Sequence, residues 1–285
     1  MMRIGAVSYL NSKPLIEGLA EAAAPGQLRL DFPSRLADQL RRGELDVALI
    51  PSIEYFRADG YEVISDACVA ARGPVLSVKV YFRTQLQNVK RLALDVGSRT
   101  SASLARILLA ERAGVRPALE PLPLELDSTN TTADAVLLIG DRAMTAPAER
   151  FVAEWDLAEE WTAWTGLPFV FALWAGPVGA GSIGSRPQGV APLPDELTPE
   201  AANHLETLLS EARDRGERNV ATIARREATI LQLDEALVLK YLTRNLHFRL
   251  GPDERAGLEA FYQLAVAHQL APEGVRLVFR THAAT

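Results

Sequence analysis

The sequence predicts an α/β protein of two lobes with a ligand cleft between them and a helical C-terminal segment. Strand and helix signals alternate with short loops over residues 4–50, and the same layout returns over residues 91–139. Two apolar stretches, at about residues 75–83 and 167–175, flank the second series and are placed to link the lobes. From Thr198 onward, apolar residues recur at helical spacing.

Taken in order, Ile4–Tyr9 predicts a buried strand, Lys13–Ala24 a helix, Leu28–Phe32 a strand, Ser34–Arg42 a helix stopped by Gly43, and Asp46–Ile50 a third strand. Strands joined through helices by short loops argue for a parallel sheet with right-handed crossovers. Pro51-Ser52 then makes a polar turn ahead of the helix-compatible Ile53-Glu54-Tyr55-Phe56. Tyr61–Arg83 is β-rich around Gly73-Pro74, with alternation over Val75–Phe82. The second series is strand Arg91–Leu94, loop Asp95–Ser101, helix Ala102–Ala113 ended by Gly114, and strands Ala118–Leu122 and Ala135–Ile139. Leu167–Ala175 is another apolar strand, and the Gly/Pro-rich stretch from Gly176 to Pro194 predicts irregular chain. Thr198-Pro199-Glu200 starts a helix with proline at its first position, and Leu258, Phe261, Tyr262, Leu264 and Ala265 keep the spacing of a core-facing helix. On this reading lobe I comprises residues 1–83 and 177–285, and lobe II residues 84–176.

With 30 Lys plus Arg against 36 Asp plus Glu, the formal charge is −6, and the basic residues are spread along the 285-residue chain. That argues against a nucleic-acid partner, which needs a basic patch, and leaves anionic small molecules to local groups. No apolar run approaches the roughly 18 residues of a membrane helix. Met1-Met2-Arg3-Ile4-Gly5 runs straight into a strand, without the basic, apolar and cleavage regions of a secretory signal. The expectation is a cytoplasmic protein that binds a small molecule, with no membrane partner. Cys68 is the sole cysteine, so no internal disulfide forms, and between Ala67 and Val69 it reads as a small buried side chain. His204, His247, His268 and His282 all lie in the helical tail without ligand spacing. No metal, cofactor or histidine-based nucleophile is expected.

In open α/β sheets, ligands sit at the carboxyl ends of strands, where side chains and the N–H groups of the following helices converge. Four groups should gather there. Asn11 lies in the polar junction Ser8–Ser12, Ser52 follows the third strand, and Ser77 lies near a crossing strand. The fourth is the loop Gly97-Ser98-Arg99-Thr100-Ser101, whose helix start and Thr100 and Ser101 hydroxyls suit a carboxylate or a phosphate. Gly140 would let a ligand or the facing lobe approach closely, and Asp141 either faces that ligand or caps the next helix. The same side chains also serve as N-caps, Thr100 or Ser101 for their own helix. Asp46 and Glu54 read as solvated or capping acids, and no two carboxylates have the placement of an acid–base couple.

As a set, Ser8-Tyr9-Leu10-Asn11-Ser12-Lys13-Pro14-Leu15, Asp46-Val47-Ala48-Leu49-Ile50-Pro51-Ser52-Ile53-Glu54-Tyr55, Gly73-Pro74-Val75-Leu76-Ser77, Gly97-Ser98-Arg99-Thr100-Ser101, Val136-Leu137-Leu138-Ile139-Gly140-Asp141 and Trp164-Thr165-Gly166-Leu167-Pro168-Phe169-Val170-Phe171-Ala172 resemble the menaquinone-biosynthetic chorismate dehydratases of the futalosine route. The blocks run in order over nearly the first two thirds of the chain, and the tail block Tyr241-Leu242-Thr243-Arg244 is similar too. The resemblance implies a type II periplasmic-binding-protein-like fold, in line with the two lobes read above. It implies loss of water from chorismate to give 3-[(1-carboxyvinyl)oxy]benzoate without metal or nucleotide, with the family's active-site asparagine and serine falling on Asn11 and Ser77. Asn and Ser are poor bases near neutral pH, so the substrate's own enolpyruvyl carboxylate is the expected proton acceptor. Ser52, Thr100, Ser101, Gly140 and Asp141 are the expected binding residues. Two other readings stay open on the same fold. One is a non-catalytic solute-binding protein for a small carboxylate, and the other is the sibling enzyme that makes 1,4-dihydroxy-6-naphthoate from cyclic dehypoxanthine futalosine.

Overall fold

The computed structural model describes residues 2–23, 26–58, 60–123, 126–145, 150–177 and 199–279, with backbone alone over 199–202. Most of the Gly/Pro-rich stretch, from residue 178 to Pro194, lies outside the described residues, as do Thr198 and His282.

The first strands are β1 (Ile4–Val7), β2 (Leu28–Asp31) and β3 (Val47–Pro51). β1 and β3 are buried along their whole lengths, as continuous apolar runs in parallel sheets are when both faces are covered. Both β2 and β3 pair with β1 in parallel. β4 (Tyr61–Ala71) follows, and the chain then crosses into a second sheet. That sheet holds β5 (Val78–Phe82), β6 (Arg91–Asp95), β7 (Ala118–Leu122), β8 (Ala135–Ile139) and β9 (Ala153–Asp156), in the order β7-β6-β8-β5-β9. β10 (Phe169–Pro177) returns to the first sheet, which β11 (His247–Arg249) completes in the order β11-β4-β10-β3-β1-β2.

The expected parallel pairing holds for β1 with β2 and β3, and for β6 with β7 and β8. β5 and β10 instead pair antiparallel with their neighbours on both sides. The reason is topological: the parallel strands run toward the gap between the sheets, whereas a strand arriving from the other lobe enters from that gap and runs away from it. Sheet membership also moves the crossings from where the sequence put them. Val78–Phe82 belongs to the second sheet and Phe169–Pro177 to the first, so the crossings fall between Ala71 and Val78 and between Thr165 and Phe169, not at residues 83–84 and 176–177. Alternation marks a strand but does not say which sheet receives it.

The expected helix Lys13–Ala24 is replaced by a 3-10 helix, Leu10–Ile16, and a single turn, Leu19–Ala22. Pro14 lacks the N–H that a continuous α-helix needs there, and Gly18, with φ of +72°, turns the chain. The tail packs directly on this segment. A Cβ on Gly216, in the helix Pro199–Arg218, would lie 2.0 Å from the Pro14 carbonyl oxygen, so only glycine allows the approach. Further along, the helix Pro252–Ala267 buries Leu258, Phe261, Tyr262 and Ala265 as its spacing predicts, with Leu264 partly buried. Phe261 meets Phe169 of β10 edge-on at 5.0 Å. Cys68 is fully buried in β4, and burial pushes its thiol well above its ordinary value. Among the described residues no helix is long and apolar enough to cross a membrane.

Candidate active site

The strand ends of both sheets meet at one cleft. The first sheet supplies Tyr9 and Asn11, which follow β1, Pro51 at the end of β3, and Phe171 and Ala172 within β10. From the second sheet come Ser98, Thr100 and Ser101 after β6, and Ile139 and Gly140 at the end of β8. Ser77 lines the cleft from the crossing just ahead of β5. Five of the seven residues singled out in the sequence, Asn11, Ser77, Thr100, Ser101 and Gly140, therefore share this cleft.

Asn11 sits in the 3-10 helix, and its Oδ1 is buried with no hydrogen-bond partner among the described residues. A buried acceptor left unpaired costs about 1–3 kcal/mol, a cost that a donor on a bound ligand would remove. Ser77 is fully buried. Its carbonyl oxygen accepts from the Gly140 N–H at 2.8 Å, and its Oγ accepts from the Tyr241 hydroxyl at 2.7 Å. Tyr241 stands in the tail block picked out in the sequence, but the block gave it no role, and nothing local could reveal a partner 164 residues away.

The helix Arg99–Ala113 is capped by Ser98, whose Oγ accepts from the Ser101 N–H at 3.3 Å and donates to Ser101 Oγ at 2.6 Å. The cap is thus neither Thr100 nor Ser101. With Ser98 Oγ spent on Ser101, helix geometry leaves the N–H groups of Arg99 and Thr100 without intrahelical acceptors, at the end where the dipole favours an anion. Thr100 Oγ1 accepts from the Ile53 N–H at 3.2 Å and lies 3.4 Å from Ser52 Oγ, which donates to the Val170 carbonyl at 2.7 Å. Ser52 is fully buried and is not among the cleft-lining residues; it backs Thr100 across the lobes. Asp141 is likewise placed behind the surface of the cleft. Its Oδ1 accepts the Leu10 N–H at 3.2 Å, tying the end of β8 to the start of the 3-10 helix.

Among the described residues, those lining the cleft include no Lys, Arg, His, Asp or Glu. Arg99 heads its helix but turns away, pairing with Asp38 at 2.8 and 2.9 Å and with Glu54 at 3.0 Å. Glu54, expected as a solvated or capping acid, is buried and also meets Arg41 at 2.6 Å and Arg57 at 3.0 Å. A carboxylate can enter the interior when several guanidinium groups neutralise it, and a single sequence does not show three arginines converging. Asp46 pairs instead with Arg3, accepting its backbone N–H at 2.6 Å as well as its guanidinium. The Tyr9 hydroxyl is pushed up by burial and by the charges of Asp95 and Asp141, so it is neutral. Among the described residues no group of three or more His, Cys, Asp or Glu is placed to hold a metal ion.

The folds of solved proteins agree with this architecture. Protein AF1704 from Archaeoglobus fulgidus superposes with a TM-score of 0.70 at 16% identity, covering 94% of this chain and 98% of its own. The periplasmic aliphatic sulphonate binding protein SsuA from Escherichia coli superposes with a TM-score of 0.57 at 15% identity, covering 96% of this chain and 94% of its own. At such identities the likeness establishes the two-lobed, periplasmic-binding-protein-like fold alone. A chorismate dehydratase from Thermus thermophilus is 33% identical over 280 aligned positions, an alignment that covers 90% of this chain and 93% of that protein. The family model for menaquinone biosynthesis matches residues 2–267, and the chain therefore belongs to that menaquinone-biosynthesis family.

Proposed function

We propose that this protein is a chorismate dehydratase, a cofactor-independent lyase that converts chorismate to 3-[(1-carboxyvinyl)oxy]benzoate and water. The observation that carries the reading is a largely apolar cleft whose polar side chains are uncharged hydroxyls and one amide, in a chain that matches a chorismate dehydratase along 90% of its length. Aromatisation of the ring supplies the driving force, so the protein's task is to position and polarise. The ring C3 proton passes to the enolpyruvyl carboxylate of the same molecule, and the C3 electron pair becomes part of the aromatic ring as the C4–O bond breaks. The departing hydroxide takes up a proton and leaves as water, and the carboxylate is regenerated. Asn11 and Ser77 donate hydrogen bonds to the reacting oxygens, while Thr100, Ser101 and the start of their helix receive a carboxylate. Holding the carboxylate against the C3 proton in a reactive geometry is worth several kcal/mol. No base is needed from the cleft, in accord with the absence of carboxylates, lysines and histidines among its described lining residues.

The test is to incubate the purified protein with chorismate and, separately, with cyclic dehypoxanthine futalosine, and to follow products by chromatography. The expected result is a new benzoate from chorismate alone. Chorismate bound but recovered unchanged would make the protein a solute binder, and turnover of the second compound would make it the naphthoate-forming sibling.

A further inference from the structure

One buried contact in the cleft ties Ser77 to the C-terminal helical layer. Tyr241 opens a π-turn, Tyr241–Asn245, closed by the Leu246 N–H donating to the Tyr241 carbonyl at 3.2 Å. Such turns insert an extra residue into a helix, cost stability and concentrate at functional sites. Two side chains of this turn reach the same short segment. The Tyr241 hydroxyl donates to Ser77 Oγ at 2.7 Å, and Asn245 Nδ2 donates to the Pro74 carbonyl at 2.7 Å. Tyr241 and Ser77 are 1% and 0% exposed, so no water competes for this bond.

The direction of the bond matters. Burial pushes the Tyr241 hydroxyl far above its ordinary value and keeps it protonated. A hydroxyl oxygen that accepts from a neighbour must send its own proton elsewhere, and Ser77 lines the cleft. We propose that Tyr241, with Asn245, is a positioning residue for the reaction: its hydroxyl fills one acceptor site of Ser77 and so turns the Ser77 proton into the cleft as a hydrogen-bond donor to the substrate. This makes Ser77 a donor to the departing hydroxyl and not a base, and it rests on the dehydratase reading for the identity of that acceptor. The π-turn places Tyr241 and Asn245, four residues apart, on the Pro74–Ser77 segment from one side.

The test is a double-mutant cycle on chorismate turnover with Tyr241→Phe, Ser77→Ala and the double variant, joined to a crystal structure of Tyr241→Phe. Tyr241→Phe removes one buried hydrogen bond, so kcat should fall about 10- to 100-fold with KM nearly unchanged. In the Ser77→Ala background the same change should have no further effect on kcat, and in the crystal Ser77 should occupy more than one rotamer. An equal loss of kcat in both backgrounds, or a single unchanged Ser77 rotamer with kcat intact, would overturn the proposal. If Tyr241→Phe does not fold, Asn245→Ala is put through the same cycle with the same expectations. Wild-type protein that leaves chorismate untouched would overturn the dehydratase reading, and the Ser77 rotamer in Tyr241→Phe would then still decide whether Tyr241 positions it.

Discussion

Asp156 holds Leu76 in a left-handed backbone conformation. Leu76 has φ of +64°, and its N–H donates to Asp156 Oδ2 at 2.6 Å, while the N–H of Val75 donates to Oδ1 at 3.0 Å. A non-glycine residue in that region costs about 1–2 kcal/mol, and here the cost falls on the residue next to Ser77. The same carboxylate caps the helix Leu157–Thr165 through Ala158 and Glu159. Strained backbone persists where the surroundings over-determine it, and Asp156, Gly140, Tyr241 and Asn245 together do so for residues 74–77.

Asp156→Ala should therefore do two things at once. Losing the cap and stranding two backbone donors should lower unfolding free energy by about 2–4 kcal/mol, read by urea titration. Leu76 should then relax toward negative φ, moving Ser77, so turnover should fall even at temperatures where the variant is folded. A variant that is destabilised but fully active would mean that the Asp156 clamp does not set the place of Ser77.

The serines at the start of the helix Arg99–Ala113 should separate cleanly. Ser98 is the cap, so Ser98→Ala should cost about 1 kcal/mol of stability. Ser101→Ala keeps the cap but removes a donor facing the cleft, so it should raise KM for chorismate. A charge-assisted hydrogen bond of about 1.5–3 kcal/mol corresponds to a factor of about 10 to 150. Stability midpoints and KM measured on both variants decide between the two roles, and a Ser101→Ala protein with normal KM and a lowered midpoint would return Ser101 to a structural role.

What could be read from the chain follows the range of the interactions. The strand ends and the hydroxyls and amide of Asn11, Thr100 and Ser101 are local signals, because a strand that stops at a polar turn announces its carboxyl end within a few residues. Ser52 looked equivalent to them by the same reasoning, yet its hydroxyl is taken by the Val170 carbonyl on β10, 118 residues away. Glu54 looked solvated because its three arginines come from two other helices and its own last turn. Tyr241 carried no local pattern that sets it apart from an ordinary core aromatic. The sheet received by Val78–Phe82 was invisible for the same reason, since period-two alternation fits either sheet.

Gly140 joins the lobes through an absence. Its φ of +63° and ψ of −149° lie in a region essentially reserved for glycine, and a Cβ there would come within 3.0 Å of the Tyr9 ring. Gly140→Ala should cost about 1–3 kcal/mol from backbone strain. Because Tyr9 follows β1 and Gly140 follows β8, relief of the clash should also part the lobes, raising KM and the radius of gyration in solution scattering. Unchanged scattering and KM would show that the Tyr9 ring yields instead.

The Asp141 carboxyl is raised above its ordinary value of 3.8, chiefly by burial, against the lowering effects of the Leu10 N–H and the Lys13 charge. A carboxyl raised in the folded state binds protons more tightly there than in the unfolded chain. Its contribution to stability is thus fully present below about pH 3.8 and is lost as pH rises through the raised folded value. Asp141→Asn keeps an oxygen to accept from Leu10 and removes the buried charge. The Asn variant should therefore be at least as stable as the parent at pH 7, with its advantage shrinking as pH falls through the folded value, where the parent carboxyl becomes neutral. Urea titrations of both proteins from pH 4 to 8 measure this difference directly, and other buried acids such as Asp95 cancel from it. An Asn variant that is less stable at pH 7 would show that the attraction between Asp141 and Lys13 outweighs the cost of burying the charge.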